Sequence, residues 1–164
     1  MKRILIPATI ALLAAVLLAV CFLFSSCSKH TYGTDELIPV TQEEFCRTAN
    51  ALGYFVLDYT GTDKIKEIDN VVSYYTVEAA DDTYKIEFVI FKDVKAAQNN
   101  FYSCTRGIDN VKGDYTVGKN YDIFAFRDDN PYYYVLRVEN TLYFCAAQPE
   151  SITAVTDLLD RLGY

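Results

Sequence analysis

The apolar residues of this chain change period at Phe91, and that change constrains the fold more than any other feature. Val71 to Ala79 reads as a strand, Ala80-Asp81-Asp82 as a turn and Thr83 to Phe91 as the returning strand, in which Tyr84, Ile86, Phe88 and Ile90 line one face while Lys85 and Glu87 lie on the other. After Asp93, a residue able to cap a helix, Val94, Ala97, Phe101, Cys104 and Ile108 follow at helical steps. A hairpin followed by an amphipathic helix needs a sheet face to pack on, which excludes all-helical and coiled-coil folds.

The flanking segments obey the same grammar. Thr41-Gln42-Glu43-Glu44 is a capping box, with Val40 and Phe45 placed for a hydrophobic staple; Phe45, Ala49 and Leu52 mark one helical face and Gly53 ends it. Tyr54 to Tyr59 suggests a strand, and Gly61 to Asn70 a loop. Tyr115 to Phe126 breaks at Gly118-Lys119-Asn120 and resumes as a strand from Tyr121. Arg127 to Pro131 reads as a turn, and Tyr132 to Val138 and Thr141 to Ala147 as a hairpin around Glu139-Asn140, whose Asn tolerates positive φ. Pro149 suits the first turn of a last helix with the stripe Ile152, Val155, Leu159, Leu162, closed by Gly163.

At a spacing of 58 residues, Tyr74, Tyr75, Val77 and Thr83 recur as Tyr132, Tyr133, Val135 and Thr141, and Val94, Ala97, Phe101 and Cys104 as Ile152, Val155, Leu159 and Leu162. The expected class is therefore α+β: an antiparallel sheet with helices packed on one face, an α-β-β-β unit occurring twice, and a C-terminal helix.

Residues 1–26 are a separate object. Lys2 and Arg3 precede an apolar run from Ile4 to Phe24 interrupted only by Pro7 and Thr9, long enough for a signal peptide or a membrane anchor. Phe24-Ser25-Ser26-Cys27, two small residues before a cysteine and a polar stretch after it, resembles the lipobox of bacterial lipoproteins. That resemblance implies acylation of Cys27, palmitate among the chains, cleavage just before it, and a cell-membrane location on the extracytoplasmic side. An uncleaved single-pass anchor and ordinary secretion are the alternatives, and Cys21, preceded by Val20, is the second candidate cysteine. Residues 27–39, with Gly33 and Pro39 as breakers, read as a tether that carries the only histidine, His30; residues 40–164 read as one domain.

Charge narrows the partners. The whole chain has a net charge of −7, but without residues 1–26 there are 13 Lys/Arg against 22 Asp/Glu, a net of −9, and no basic stripe for nucleic acid. Catalytic and metal motifs are not evident. A histidine confined to the tether gives Cys46, Cys104 or Cys145 no fixed base, so they read as small buried hydrophobes, with Cys46–Cys145 or Cys46–Cys104 bridges as the export-compatible alternative. No CxxC, HExxH, EF-hand, glycine-rich phosphate loop or GxSxG pattern occurs, and the acidic turns Asp81-Asp82 and Asp128-Asp129-Asn130 offer too few ligands for a tight calcium site, so no cofactor or metal is expected. Asp58, Glu78, Glu87 and Glu139 are the acids from which a carboxylate pair could be drawn.

The compositional oddity is 14 Tyr and 10 Phe with no Trp. Tyr74-Tyr75 and Tyr132-Tyr133-Tyr134 fall on strands, where neighbours point to opposite faces, so part of each set is expected in the core and part outward as a stacking surface for peptide or glycan. The expected function is thus a membrane-tethered, non-catalytic binding or scaffolding module meeting an envelope protein or cell-wall glycan. A small hydrolase using paired carboxylates and an inhibitor or immunity protein are the alternatives.

Overall fold

The computed structural model describes residues 30–66, 68–108, 113–126 and 131–164. Cys27 and the leader lie outside the described residues, as does Asp128-Asp129-Asn130.

Eight strands form one mixed sheet, with three α-helices among the described residues. In chain order these are β1 (His30–Tyr32), α1 (Gln42–Ala51), β2 (Val56–Asp58), β3 (Val71–Glu78), β4 (Tyr84–Phe91), α2 (Val94–Gly107), β5 (Asp114–Val117), β6 (Tyr121–Phe126), β7 (Tyr132–Val138), β8 (Thr141–Ala147) and α3 (Ile152–Leu162). The sheet order is β1-β5-β6-β7-β8-β4-β3-β2; all neighbours are antiparallel except β1 and β5, which are parallel. The two hairpins read from the sequence therefore meet at the centre, through β4 and β8.

Local chemistry sets the helix ends. Thr41 accepts from the Glu44 amide at 3.2 Å and Asp93 from the Ala96 amide at 2.8 Å, each satisfying a first-turn donor. Gly53 (φ 83°) and Gly163 (φ 89°) follow the helices in the left-handed region, where a Cβ would be strained. The two-residue loop after β7 departs from expectation: Glu139 takes the positive φ of 50°. Asn140 instead bonds to the end of β4, its side chain donating to the Phe91 carbonyl (2.8 Å) and its carbonyl accepting from the Phe91 amide (2.9 Å). That docking fixes which loop residue turns over.

The helices do not share a face. Phe45 and Ala49 of α1 and Val155, Leu158, Leu159 and Leu162 of α3 pack on Tyr75, Val77, Ile86, Phe88, Leu136, Tyr143 and Cys145. Ala96, Ala97 and Phe101 of α2 pack on Tyr74, Val89, Phe91, Phe124, Val135 and Leu142. Helices on one face was the expectation; the central strands overturn it by carrying buried apolar side chains on both sides, as adjacent Phe88 and Val89 do. The 58-residue correspondence fails for the same reason. It matches Tyr74 to Tyr132 and Val77 to Val135, residues on opposite faces. A rotation carrying β4 onto its antiparallel neighbour β8 keeps each face on its own side, so the two units, with α2 and α3 on opposite faces, do not superpose.

Residues 30–40, read from the sequence as tether and helix approach, run along the domain edge. β1 pairs with β5, the Gly33 amide donates to Val117 O (2.8 Å), and Asn120 brackets Leu37 with two hydrogen bonds, at 3.0 and 2.8 Å. The Tyr121 hydroxyl donates to Asp35 (2.9 Å), and that of Tyr164 donates to Ile38 O (2.9 Å) and accepts from the Val40 amide (3.1 Å). Close approach explains Gly33 here: a Cβ would stand 2.6 Å from the Tyr121 hydroxyl oxygen.

Candidate functional site

The five tyrosines nominated for a binding surface do not form one outward row. Tyr74 is buried on the α2 side, and Tyr75 and Tyr132 on the α1/α3 side; Tyr133 and Tyr134 are half-buried. Tyr132 stacks on Tyr134 at 6.5 Å, Tyr74 sits 5.9 Å from Tyr59, and Tyr133 lies 6.1 Å from Phe144. Because both faces of the centre are covered, a ring turned away from one core enters the other, so pairing along and across strands accounts for most of these side chains.

The nominated acids are each engaged or apart. Lys85 sits between Glu87 (2.5 Å) and Glu78 (3.6 Å), whose hydrogen bonds and charges outweigh partial burial and hold its ammonium above the ordinary lysine range. Asp58 accepts from the Thr60 amide at 2.8 Å, and Glu139 occupies the β7–β8 turn. Two carboxylates sharing one ammonium do not make the facing pair that glycoside hydrolysis needs. Among the described residues no group of three or more His, Cys, Asp or Glu is placed to hold a metal ion.

Cys46, Cys104 and Cys145 are free thiols. Cys46 and Cys145 contribute to the α1/α3 core and Cys104 to the α2 core. Burial, reinforced by the charge of Glu87, pushes the Cys104 thiol up to about 11 and raises Cys145 as well. Burial likewise raises the phenols of Tyr74 and Tyr143. The sign follows directly. These groups ionise more readily in the unfolded chain, so their contribution is complete below about pH 9 and is lost as pH climbs from 9 towards 11, the window set by Cys104. Urea midpoints should hold level from pH 7 to 8.5 and fall steadily above pH 9; a midpoint unchanged at pH 11 would contradict this burial.

A cleft that the sequence did not announce lies between α2 and the β1–β5–β6 end of the sheet. Its volume is about 400 Å³, and His30, Phe101, Tyr102, Thr105, Arg106, Tyr115, Thr116, Val117 and Asp122 line it. One wall is flat: His30 stacks on Tyr115 at 5.1 Å with 5° between the planes, and Tyr115 in turn leans on Phe124 at 4.8 Å. The facing wall is one turn of α2, where Tyr102, 47% exposed, and Arg106 share a side at the i, i+4 spacing.

The floor is a buried ion pair. Arg137 Nε donates to Asp122 Oδ2 at 2.6 Å, with the two residues 3% and 4% exposed. Arg137 Nη1 also donates to the carbonyls of Asn120 and Glu139, at 3.1 Å each, tying the pair to the turns that precede β6 and follow β7, which lie side by side at one end of the two strands. Thus a neutralised carboxylate faces a cleft whose rim carries one cation, Arg106, which makes no ion pair among the described residues. His30, expected to be a solvated tether residue, is a wall of this cleft because β1 anchors it.

The cleft resembles small-molecule sites in size and in mixing aromatic walls with few polar groups, such sites spanning roughly 300–1,000 Å³. No family model, curated protein or solved structure matches this chain, and the cleft is read from its own geometry.

Proposed function

We propose that the chain is a lipoprotein held on the outer face of a cell membrane through Cys27, and that its α+β domain is a non-catalytic binding module. The observation that carries this reading is the lipobox-like Phe24-Ser25-Ser26-Cys27 placed directly ahead of the first strand of the sheet. Only Ser28 and Lys29 lie between Cys27 and His30, the first residue of β1, so the two are three residue steps apart. At roughly 3.3–3.6 Å per residue they span about 10 Å at most. An acylated Cys27 therefore keeps the β1 edge beside the headgroups, and the cleft walled by His30 with it. Stable anchoring requires more than one acyl chain, since a single chain binds only marginally. The engagement of Glu78, Glu87 and Asp122 by Lys85 and Arg137 favours binding over carboxylate-pair hydrolysis.

Mass spectrometry of the membrane fraction tests the anchor: the expected mature chain begins at an acylated Cys27. A chain retaining Met1 and an unmodified Cys27 rejects it.

A further inference from the structure

We infer that the cleft between α2 and β1–β5–β6 is a subsite for one or two neutral, hydroxyl-rich sugar rings of an envelope glycan. The inference rests on the binding-module reading and names its ligand.

Stacking surfaces come first. The exposed His30 ring, backed by Tyr115 at 5.1 Å and nearly parallel, and the exposed Tyr102 ring opposite are flat apolar surfaces to which the C–H faces of a pyranose are complementary. Hydrogen-bond groups come second. Asp122 accepts, Arg106 donates, and the Thr105 side chain is held by the Tyr102 carbonyl at 3.3 Å beneath them. A carboxylate already neutralised by Arg137 binds hydroxyls without demanding a cationic ligand.

Charge excludes the competitors. A domain of net charge −9 outside the leader repels polyanions, and Arg106, the one rim cation among the described residues, does not compensate. An extended peptide would add to the edge of β1, unpaired among the described residues, rather than enter a cleft on the face of the sheet. The volume of about 400 Å³ accommodates a short run of rings.

The test is calorimetric titration of the full-length chain, in a detergent without sugar headgroups, with tri-N-acetylchitotriose, cellotriose and maltotriose. At least one should bind with a millimolar or tighter Kd. Tyr102→Ala and Arg106→Ala, both exposed, should each weaken it about tenfold, while Phe55→Ala, exposed outside the cleft, should leave it unchanged. No heat from any of the three sugars overturns the proposal, as does binding that Tyr102→Ala leaves intact, or binding of glycerol phosphate in their place. Failure here with Cys27 found acylated removes the sugar site and leaves the anchor; binding with Cys27 unmodified does the reverse.

Discussion

Replacing Arg137 with Met should destabilise the domain by about 3–5 kcal/mol, the range for removing one partner of a buried ion pair. The cost arises chiefly from what remains. Asp122, 4% exposed, would keep a carboxylate without its 2.6 Å partner, and the carbonyls of Asn120 and Glu139 would lose the donor they share. Asp122→Asn alone should cost less, because the guanidinium keeps its two carbonyl acceptors and the amide oxygen can still accept from Nε. The double variant Arg137→Met with Asp122→Leu should recover much of the loss, since an apolar pair of similar volume leaves no charge stranded. Urea unfolding of the unaltered protein, Arg137→Met, Asp122→Leu and the double variant closes a double-mutant cycle. A loss under about 1 kcal/mol for Arg137→Met would show that the pair is solvated and contributes no more than a surface ion pair. The recovered double variant also separates stability from binding, because it lacks the carboxylate at the floor of the cleft.

That pair shows why part of the site was illegible in the sequence. Helix starts at Thr41 and Asp93 and the hairpin at Glu139-Asn140 were readable because each signal is local, a cap or a turn within four residues. Asp122 and Arg137 are 15 residues apart on different strands, and in each strand a charged residue between apolar ones reads as a solvent-facing position. The available clue was Arg137 between Leu136 and Val138, in a strand apolar on both sides. β1 was illegible for a different reason. Its three residues carry no apolar alternation; backbone pairing with β5 and the contacts of Asn120 to Leu37, 83 residues away, hold the segment. The cleft needs β1, α2, β5 and β6 together, so it emerges only with the topology.

The faces of the sheet make the same point about the tyrosines. Alternation correctly sends Tyr74 and Tyr75 in opposite directions, but alternation cannot say whether the second direction meets water or another layer. Here both directions meet helices, because α2 crosses to the face that α1 and α3 leave open. The helix reaches Phe124 of β6 but stops short of β1 and β5, where the sheet continues beyond α2. An eight-stranded sheet with one helix on a face leaves strands uncovered at its end, and the cleft occupies that step.

Phe45→Ala should cost about 3–5 kcal/mol, the usual toll of truncating a fully buried aromatic ring. Phe45 joins three levels of the structure. As the fourth helical residue after Thr41 it packs with Val40, 4% exposed, to set the angle at which the chain enters α1. Its ring, fully buried, stacks on Phe88 at 4.6 Å and lies 6.2 Å from Tyr143 and 6.5 Å from Tyr75, so it bridges α1 to β3, β4 and β8. Truncation leaves a cavity lined by rigid rings on hydrogen-bonded central strands, which collapse poorly into the space. Phe45→Leu should cost distinctly less, because most of the volume is kept and only the stacking geometry is lost. Thr41→Ala, which removes the cap and leaves the ring, should cost only about 1 kcal/mol. The ordering Phe45→Ala, then Phe45→Leu and Thr41→Ala, read as urea midpoints at constant m-value, places the strength of this end of the domain in the packed rings rather than in the helix itself. Thr41→Ala matching Phe45→Ala would reverse that assignment, making α1 formation rather than its docking the limiting contribution.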